Sequence, residues 1–257
     1  MKTTRKQILD RNPVLRFLKP VIQFFLRNSG ILIGLAALVL VLWIATSTFM
    51  NAKNLLTVLR QICQNALLAF GMTCVLIVGG IDLTVGSVFG ASGVAIVMML
   101  NGGMPLLPAF LIALLMGTLI GFLNGSVIAY TGMPAFIVTL SMQQVIRGLA
   151  FLITNGRAVG SDHKLFNSLG NAYWLRIPAP IYAVAAMMLI VSVILYRTKL
   201  GRRMYAVGGN ANAARFSGIR IPRVVISAYM ISGTLSALSG IIMSSRMYSG
   251  QPSAGEG

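Results

Sequence analysis

Apolar residues run through this chain in blocks too long for a soluble core, separated by short polar breaks. Asn28 to Ala52, Gln61 to Ile81, Leu83 to Ile146, Ile177 to Tyr196 and Val224 to Ser245 contain no Asp, Glu, Lys or Arg. A helix needs about 20 mostly apolar residues to cross a bilayer. Cut at the Gly- and Pro-containing breaks, the blocks predict spans at about 30–50, 61–79, 84–100, 106–130, 134–153, 181–196 and 224–244. The fold class expected is therefore all-α, a polytopic helical membrane protein with about seven spans. Small residues recur at i, i+4 in Gly86/Gly90, Gly117/Gly121/Gly125 and Ser232/Ser236/Gly240, where they let helix backbones approach closely.

Composition supports the pattern. Hydrophobic residues make up 56% of the 257 positions and charged residues 10%, against about 25% charged in a soluble domain. An ordinary soluble enzyme is excluded. The net charge of +17 invites a nucleic-acid reading, but its placement explains it better. Lys2, Arg5, Lys6, Arg11, Arg16, Lys19 and Arg27 precede the first block, and Arg197, Lys199, Arg202, Arg203, Arg215, Arg220 and Arg223 lie between two later ones. Positive charge concentrated in this way marks cytoplasmic segments, so no nucleic-acid partner is expected.

Residues 1–29 read as a basic interfacial segment on the cytoplasmic face, since Leu15, Leu18, Ile22 and Phe25 recur at helical spacing. The long basic region and the span-length block after it predict an anchor rather than a cleavable signal. With the amino terminus inside, loop 154–180 falls outside, the basic loop 197–223 falls inside, and the polar stretch after Ser249 ends outside. The membrane domain is expected over 30–257.

The chemistry-bearing residues are few. Cys63 and Cys74 lie about 16 Å apart along one helix and cannot pair; they read as packing residues. The acids are Asp10, Asp82, Asp162 and Glu256, and only Asp82 is placed at membrane depth, so a paired-carboxylate mechanism within the spans is excluded. Gly90-Ala91-Ser92-Gly93 fits the serine motif of intramembrane proteases, but the single histidine, His163, is in a loop and no span supplies the base. No GxxxxGK[ST] loop occurs, so nucleotide hydrolysis is not expected of this chain. No catalytic residue, metal site or cofactor is assigned.

Three polar features stand out. Gly79-Gly-Ile-Asp-Leu-Thr-Val-Gly-Ser87 breaks two apolar runs; Asp82 or Thr84 can cap the helix that follows, and Asp82 can alternatively line a transport path or couple to an ion. Thr139, Gln143 and Arg147 are spaced by four on one helix face, so the stripe either lines a path or bonds between helices with Arg147 reaching outward. In the inside loop, Asn210 is a good N-cap, Ala211 to Phe216 favour helix and Gly218 suits a stop. That predicts a short helix parallel to the membrane.

The motif at 79–87, followed by Gly201-Arg-Arg-Met-Tyr-Ala-Val-Gly-Gly-Asn-Ala-Asn-Ala-Ala-Arg-Phe-Ser-Gly-Ile219 and Gln251-Pro-Ser-Ala-Gly-Glu-Gly257, resembles the permease subunit of ribose/xylose/galactoside-type ABC importers from about Phe49 to the end. The resemblance implies a multi-pass subunit of the cell membrane, working as a pair with a second copy, a cytoplasmic ATPase that binds the ATP, and an extracytoplasmic sugar-binding protein. It implies import of a pentose or hexose by alternating access; the polar positions noted above, Asp82, Thr139, Gln143 and Arg147, are the candidates to line the path. It further implies that the inside loop docks on the ATPase through Arg202, Arg203, Gly208, Gly209, Asn210, Ala213, Ala214, Arg215 and Gly218. Members of that family continue for about three more spans, about ten in all, so the chain is expected to stop short of them. The rival is an ion-coupled secondary transporter using Asp82.

Overall fold

A computed structural model describes residues 29–175 and 177–256. The interfacial segment expected before Ser29 lies outside the described residues. The chain divides into two units, 1–55 and 56–257. In the first, α1 (Ser29–Ala45) is apolar all round and buries none of its 17 residues, the character of a helix surrounded by lipid. A turn follows, and the Asn51 side chain accepts from the Lys53 N–H (3.1 Å) where α2 (Ala52–Ile77) begins.

The second unit is built on α2 together with α3 (Val85–Asn101), α4 (Leu106–Thr131), α5 (Ala135–Thr154), α6 (Lys164–Asn171), α7 (Ala179–Arg197), α8 (Lys199–Gly209), α9 (Ala211–Phe216) and α10 (Ile221–Met247). The helices α2, α4, α5, α7 and α10 are long and apolar enough to cross a membrane. At 17 residues each, α1 and α3 sit at the short end of the spanning range. All seven expected spans are present as helices. Among the described residues, strand is confined to β1 (Val159–Gly160), β2 (Tyr173–Trp174), β3 (Ile177–Pro178) and β4 (Ser249–Gly250), paired antiparallel as β1 with β4 and β2 with β3.

The largest boundary difference from the sequence expectation is at the start of α2. α2 starts nine residues before Gln61, so Lys53 and Arg60 lie on it. Arg60 does not end the helix because its guanidinium lies 4.5 Å over the Tyr173 ring and its Nη2 donates to the Asn171 carbonyl at 3.5 Å. Cation–π stacking offsets part of the cost of the charge.

At the centre of this unit is α10, packed most extensively on α4 and next on α3. Gly117 and Gly121 of α4 lie against the backbone of Gly233 and Tyr229, so the α4 and α10 axes come as close as backbone allows. The main cluster of buried apolar side chains joins Leu67 and Cys74 of α2, Met204 and Val207 of α8 and Ala228 and Tyr229 of α10. Both cysteines are free and buried. At the opposite end, His163 caps α6 by accepting from the Phe166 N–H at 3.2 Å, and Ser245 accepts from the Gly170 N–H at 2.7 Å. The Ser239 hydroxyl on α10 donates to the Gln64 carbonyl at 2.9 Å, joining α10 to α2.

Candidate functional site

Two non-helical segments lie at the depth of the spans and face one cleft. The first joins α2 to α3. Gly79 takes φ +82, which a side chain would strain, and turns the chain out of α2. The segment then drops Asp82 into the helix bundle, 1% exposed. Asp82 Oδ1 accepts from the Thr84 N–H at 3.0 Å and from the Thr84 hydroxyl at 2.5 Å, and Oδ2 accepts from the Ser232 hydroxyl of α10 at 2.7 Å. The network continues outward: Asn124 Nδ2 of α4 donates to the Thr84 hydroxyl at 3.1 Å, and the Tyr229 hydroxyl donates to the Ile81 carbonyl at 3.1 Å. Side chains of two helices, α4 and α10, therefore fix one break between helices, as irregular backbone at this depth requires.

Of the two residues expected to cap the helix that follows, Asp82 accepts from the Thr84 N–H at its start and Thr84 does not cap. Thr84 occupies the N-cap position of α3 but makes no side-chain cap bond, while Asp82 bonds Thr84 itself. Asp82 is a bridge between the break and α10. The same-face pair Thr139 and Gln143 is brought to it: the Thr139 hydroxyl donates to Ala135 at 2.8 Å with the Ile81 carbonyl 3.4 Å away, and Gln143 lines the cleft.

The second segment, 249–256, corrects two expectations. Its polar composition suggested a tail beyond the last span, with Glu256 away from membrane depth. Instead it turns back at Tyr248, which takes φ 55, and runs antiparallel to α3. Gly250 lies on Gly93 and Val94, Pro252 and Ala254 lie on Gly90, and Gly255 lies on Gly86. A β-carbon at Gly90 would come 2.8 Å from the Ala254 carbonyl oxygen. The Gly86/Gly90 pair, expected to seat another helix, therefore seats extended backbone. Without a ladder partner along most of its length, the segment is held by Arg147, whose Nη1 donates to the Pro252 and Ala254 carbonyls at 2.7 Å each. Nε of the same arginine lies 3.6 Å from Glu256 Oε1. Arg147 is 8% exposed, so it points into the bundle and not outward along the span.

The cleft between these segments has a volume of about 570 Å³ and is lined by Asn65, Leu68, Met72, Asp82, Leu83, Val85, Gly86, Gln143, Gly255 and Glu256. Amide and carboxylate groups alternate there with aliphatic side chains. Asn65 and Glu256 were missed by reading the sequence. Asn65 carries no local signal within its apolar run, and Glu256 follows a Gly-rich polar stretch indistinguishable from a loop.

At the bundle end that carries α8 and α9, the expected loop helix is present. The Asn210 Oδ1 accepts from the Ala213 N–H at 3.0 Å, and Gly218 stops α9 with φ +78. A helix not foreseen, α8, precedes it and buries Gly201, Met204 and Val207 while Arg202 and Arg203 stay exposed. Gly208 rests directly on the Ile77 carbonyl with no room for a β-carbon, so its role is structural; Gly209 is open. Ala214 is 4% exposed and belongs to the main apolar cluster. It is therefore not available as a docking surface. Ala213 and Phe216 are exposed, the latter at 91%.

The protein-family model described as "Branched-chain amino acid transport system / permease component" matches residues 54–257. The chain is 38% identical over 234 residues to the ribose import permease protein of Bacillus subtilis (strain 168), an overlap covering 90% of this chain and 72% of that one. It is 38% identical over 206 residues to the L-arabinose transport system permease protein of Escherichia coli K12, covering 80% and 62%, and 29% identical over 294 residues to the xylose transport system permease protein of the same strain, covering 89% and 75%. No solved structure gives a significant match.

Proposed function

Because the chain belongs to the transport-system permease family that contains the ribose import permeases, we propose that it is the membrane-spanning permease subunit of an ATP-driven importer for a monosaccharide, a pentose or hexose. The observation that carries the reading is the cleft at span depth, where Asn65, Gln143 and the carboxylates of Asp82 and Glu256 stand among Leu68, Met72 and Val85. Sugars present hydroxyls along their edges and C–H groups on their faces, and such a mixture of hydrogen-bonding and aliphatic groups suits both. Thr139 and Arg147 act on this path by holding its walls.

The rival, ion coupling through Asp82, is less well supported, because both carboxylate oxygens already accept hydrogen bonds from Thr84 and Ser232. The protein has no catalytic residue of its own in this reading. ATP binds a separate cytoplasmic ATPase, an extracytoplasmic binding protein delivers the sugar, and a second permease copy completes the pathway in the inner membrane.

Energy enters through α8 and α9. Phe216 and Ala213 fit a groove on the ATPase, Asn210 and Gly218 fix the ends of α9, and Arg202, Arg203 and Arg215 steer acidic groups of the partner. Ala213→Trp should leave membrane insertion intact and abolish co-purification with the ATPase or stimulation of its hydrolysis by sugar. Unchanged assembly, ATPase stimulation and pentose uptake in that variant would remove α9 from the coupling path. The amino terminus is cytoplasmic, so a tag near residue 210 should be shielded in right-side-out vesicles and one near residue 165 accessible. The reverse labelling would invert the topology.

A further inference from the structure

Where α4 ends and α10 begins, a cleft of about 400 Å³ is lined by Tyr130, Arg215, Ile219, Arg220, Ile221, Pro222 and Arg223. Three guanidiniums share this space. Among the described residues none of them has a hydrogen-bond or ion-pair partner: the one ion pair shown is that of Arg147 with Glu256. The chain holds four acids against 21 lysines and arginines, so its own carboxylates cannot neutralise the cluster. Like charges gathered without a counter-charge repel one another, and an anion seated between them removes that cost.

The position of the cleft selects the anion. Tyr130 is the penultimate residue of α4, Arg220 is the N-cap of α10 and Arg223 lies in its first turn. Both helices are of spanning length and hydropathy, so the end they share lies at the level of the lipid headgroups, where tyrosine also concentrates. Ile219, Ile221 and Pro222 give the cleft an apolar wall, and the start of α10, which lacks one N–H at Pro222, adds a dipole that favours phosphate.

We propose that this cleft is a binding site for the phosphodiester of an anionic phospholipid headgroup. Arginine forks match phosphate oxygens bidentately, and basic pockets between spans near the cytoplasmic surface hold such headgroups. A zwitterionic headgroup carries an ammonium that the three arginines repel, so the site discriminates by charge as well as by phosphate.

The test uses the purified full chain in detergent, titrated with palmitoyl-oleoyl phosphatidylglycerol or the matching phosphatidylcholine and read by native mass spectrometry. The wild type should retain the phosphatidylglycerol in preference. Arg220→Ala with Arg223→Ala should weaken that retention about 10- to 30-fold, given the interaction of each basic residue with an anionic surface. Arg220→Lys with Arg223→Lys, which keeps the charge and loses the forks, should fall between. Removing equal charge at the far end, by Arg157→Ala with Lys164→Ala, should leave retention unchanged; an equal loss there would mean diffuse attraction and overturn the site. Displacement of the lipid by millimolar inorganic phosphate would reassign the cleft to free anions. Unaltered lipid retention in the double alanine variant, with loss of ATPase co-purification, would make it a protein-docking surface and sink the lipid proposal.

Discussion

The two non-helical segments at span depth are held in opposite ways. Residues 79–84 are tied by side chains from α4 and α10 that converge on Asp82, Thr84 and Ile81. Residues 249–256 rely on a single arginine reaching their carbonyls from α5, with one short strand pairing at the start. The first is a network in which donors and acceptors are distributed among several helices, so its loss disturbs the packing of the whole second unit. The second hangs on one cation, so its loss frees a strip of backbone and little else. Both walls face the same cleft, one rigid and one detachable, which suits a pathway that must open without losing its fold.

The largest effect should come from Asp82→Ala. It leaves the Ser232 and Thr84 hydroxyls and the Thr84 N–H, all buried in the bundle, without their acceptor, and each buried unpaired donor costs about 1–3 kcal/mol. The thermal midpoint of the purified chain should fall by several degrees. Asp82→Asn keeps one oxygen for Thr84 and places an amide opposite Ser232, so its midpoint should stay near that of the wild type. If Asn destabilises as much as Ala, the network depends on the charge and the bridging account of Asp82 fails. If Asn is stable but uptake is lost, the ion-coupled rival regains support.

Arg147→Ala should act more locally. Two hydrogen bonds from a charged donor are lost, each worth about 1.5–3 kcal/mol, but the cost falls on residues 250–256. Hydrogen exchange should accelerate for the amides of that segment and stay unchanged for 80–88. Equal acceleration at both places would mean that the segments open as one unit, and the contrast drawn between them would be wrong.

The contrast also explains what could be read from the chain. The five helices long enough to cross a membrane and the two shorter apolar ones all follow from apolar length, and the capped α9 follows from Asn210 and Gly218, because each of these signals is local. The α4 stripe of Gly117, Gly121 and Gly125 was legible as close packing, and it does meet α10 backbone. The return of residues 249–256 was not legible, since the group that holds them is 105 residues away at Pro252 and the segment itself has loop composition. Arg147 within a span read as lining a path or reaching outward, and Gly86 with Gly90 as a seat for another helix. Neither identified the other's partner. Ala214 was misassigned for another reason: a six-residue helix is too short for periodicity to reveal its buried face.

The smallest effect separates the two carboxylates that share the cleft. Asp82 is enclosed and accepts three hydrogen bonds, whereas the Glu256 side chain is 55% exposed and meets Arg147 Nε only at 3.6 Å. An ion pair so open to solvent is worth about 0–1 kcal/mol and is screened by salt. The Pro252 and Ala254 carbonyls, not Glu256, hold the segment to Arg147. Glu256→Gln should therefore leave the thermal midpoint and the exchange rates of 250–256 nearly unchanged, with any small difference vanishing at high ionic strength. Its effect belongs instead to the solute: a carboxylate facing the cleft accepts from sugar hydroxyls more strongly than an amide, so the apparent affinity for sugar in uptake should weaken while maximal uptake persists. If Glu256→Gln loosens 250–256 as much as Arg147→Ala, the salt bridge and not the carbonyl clamp holds this wall, and Glu256 loses its assignment to the path.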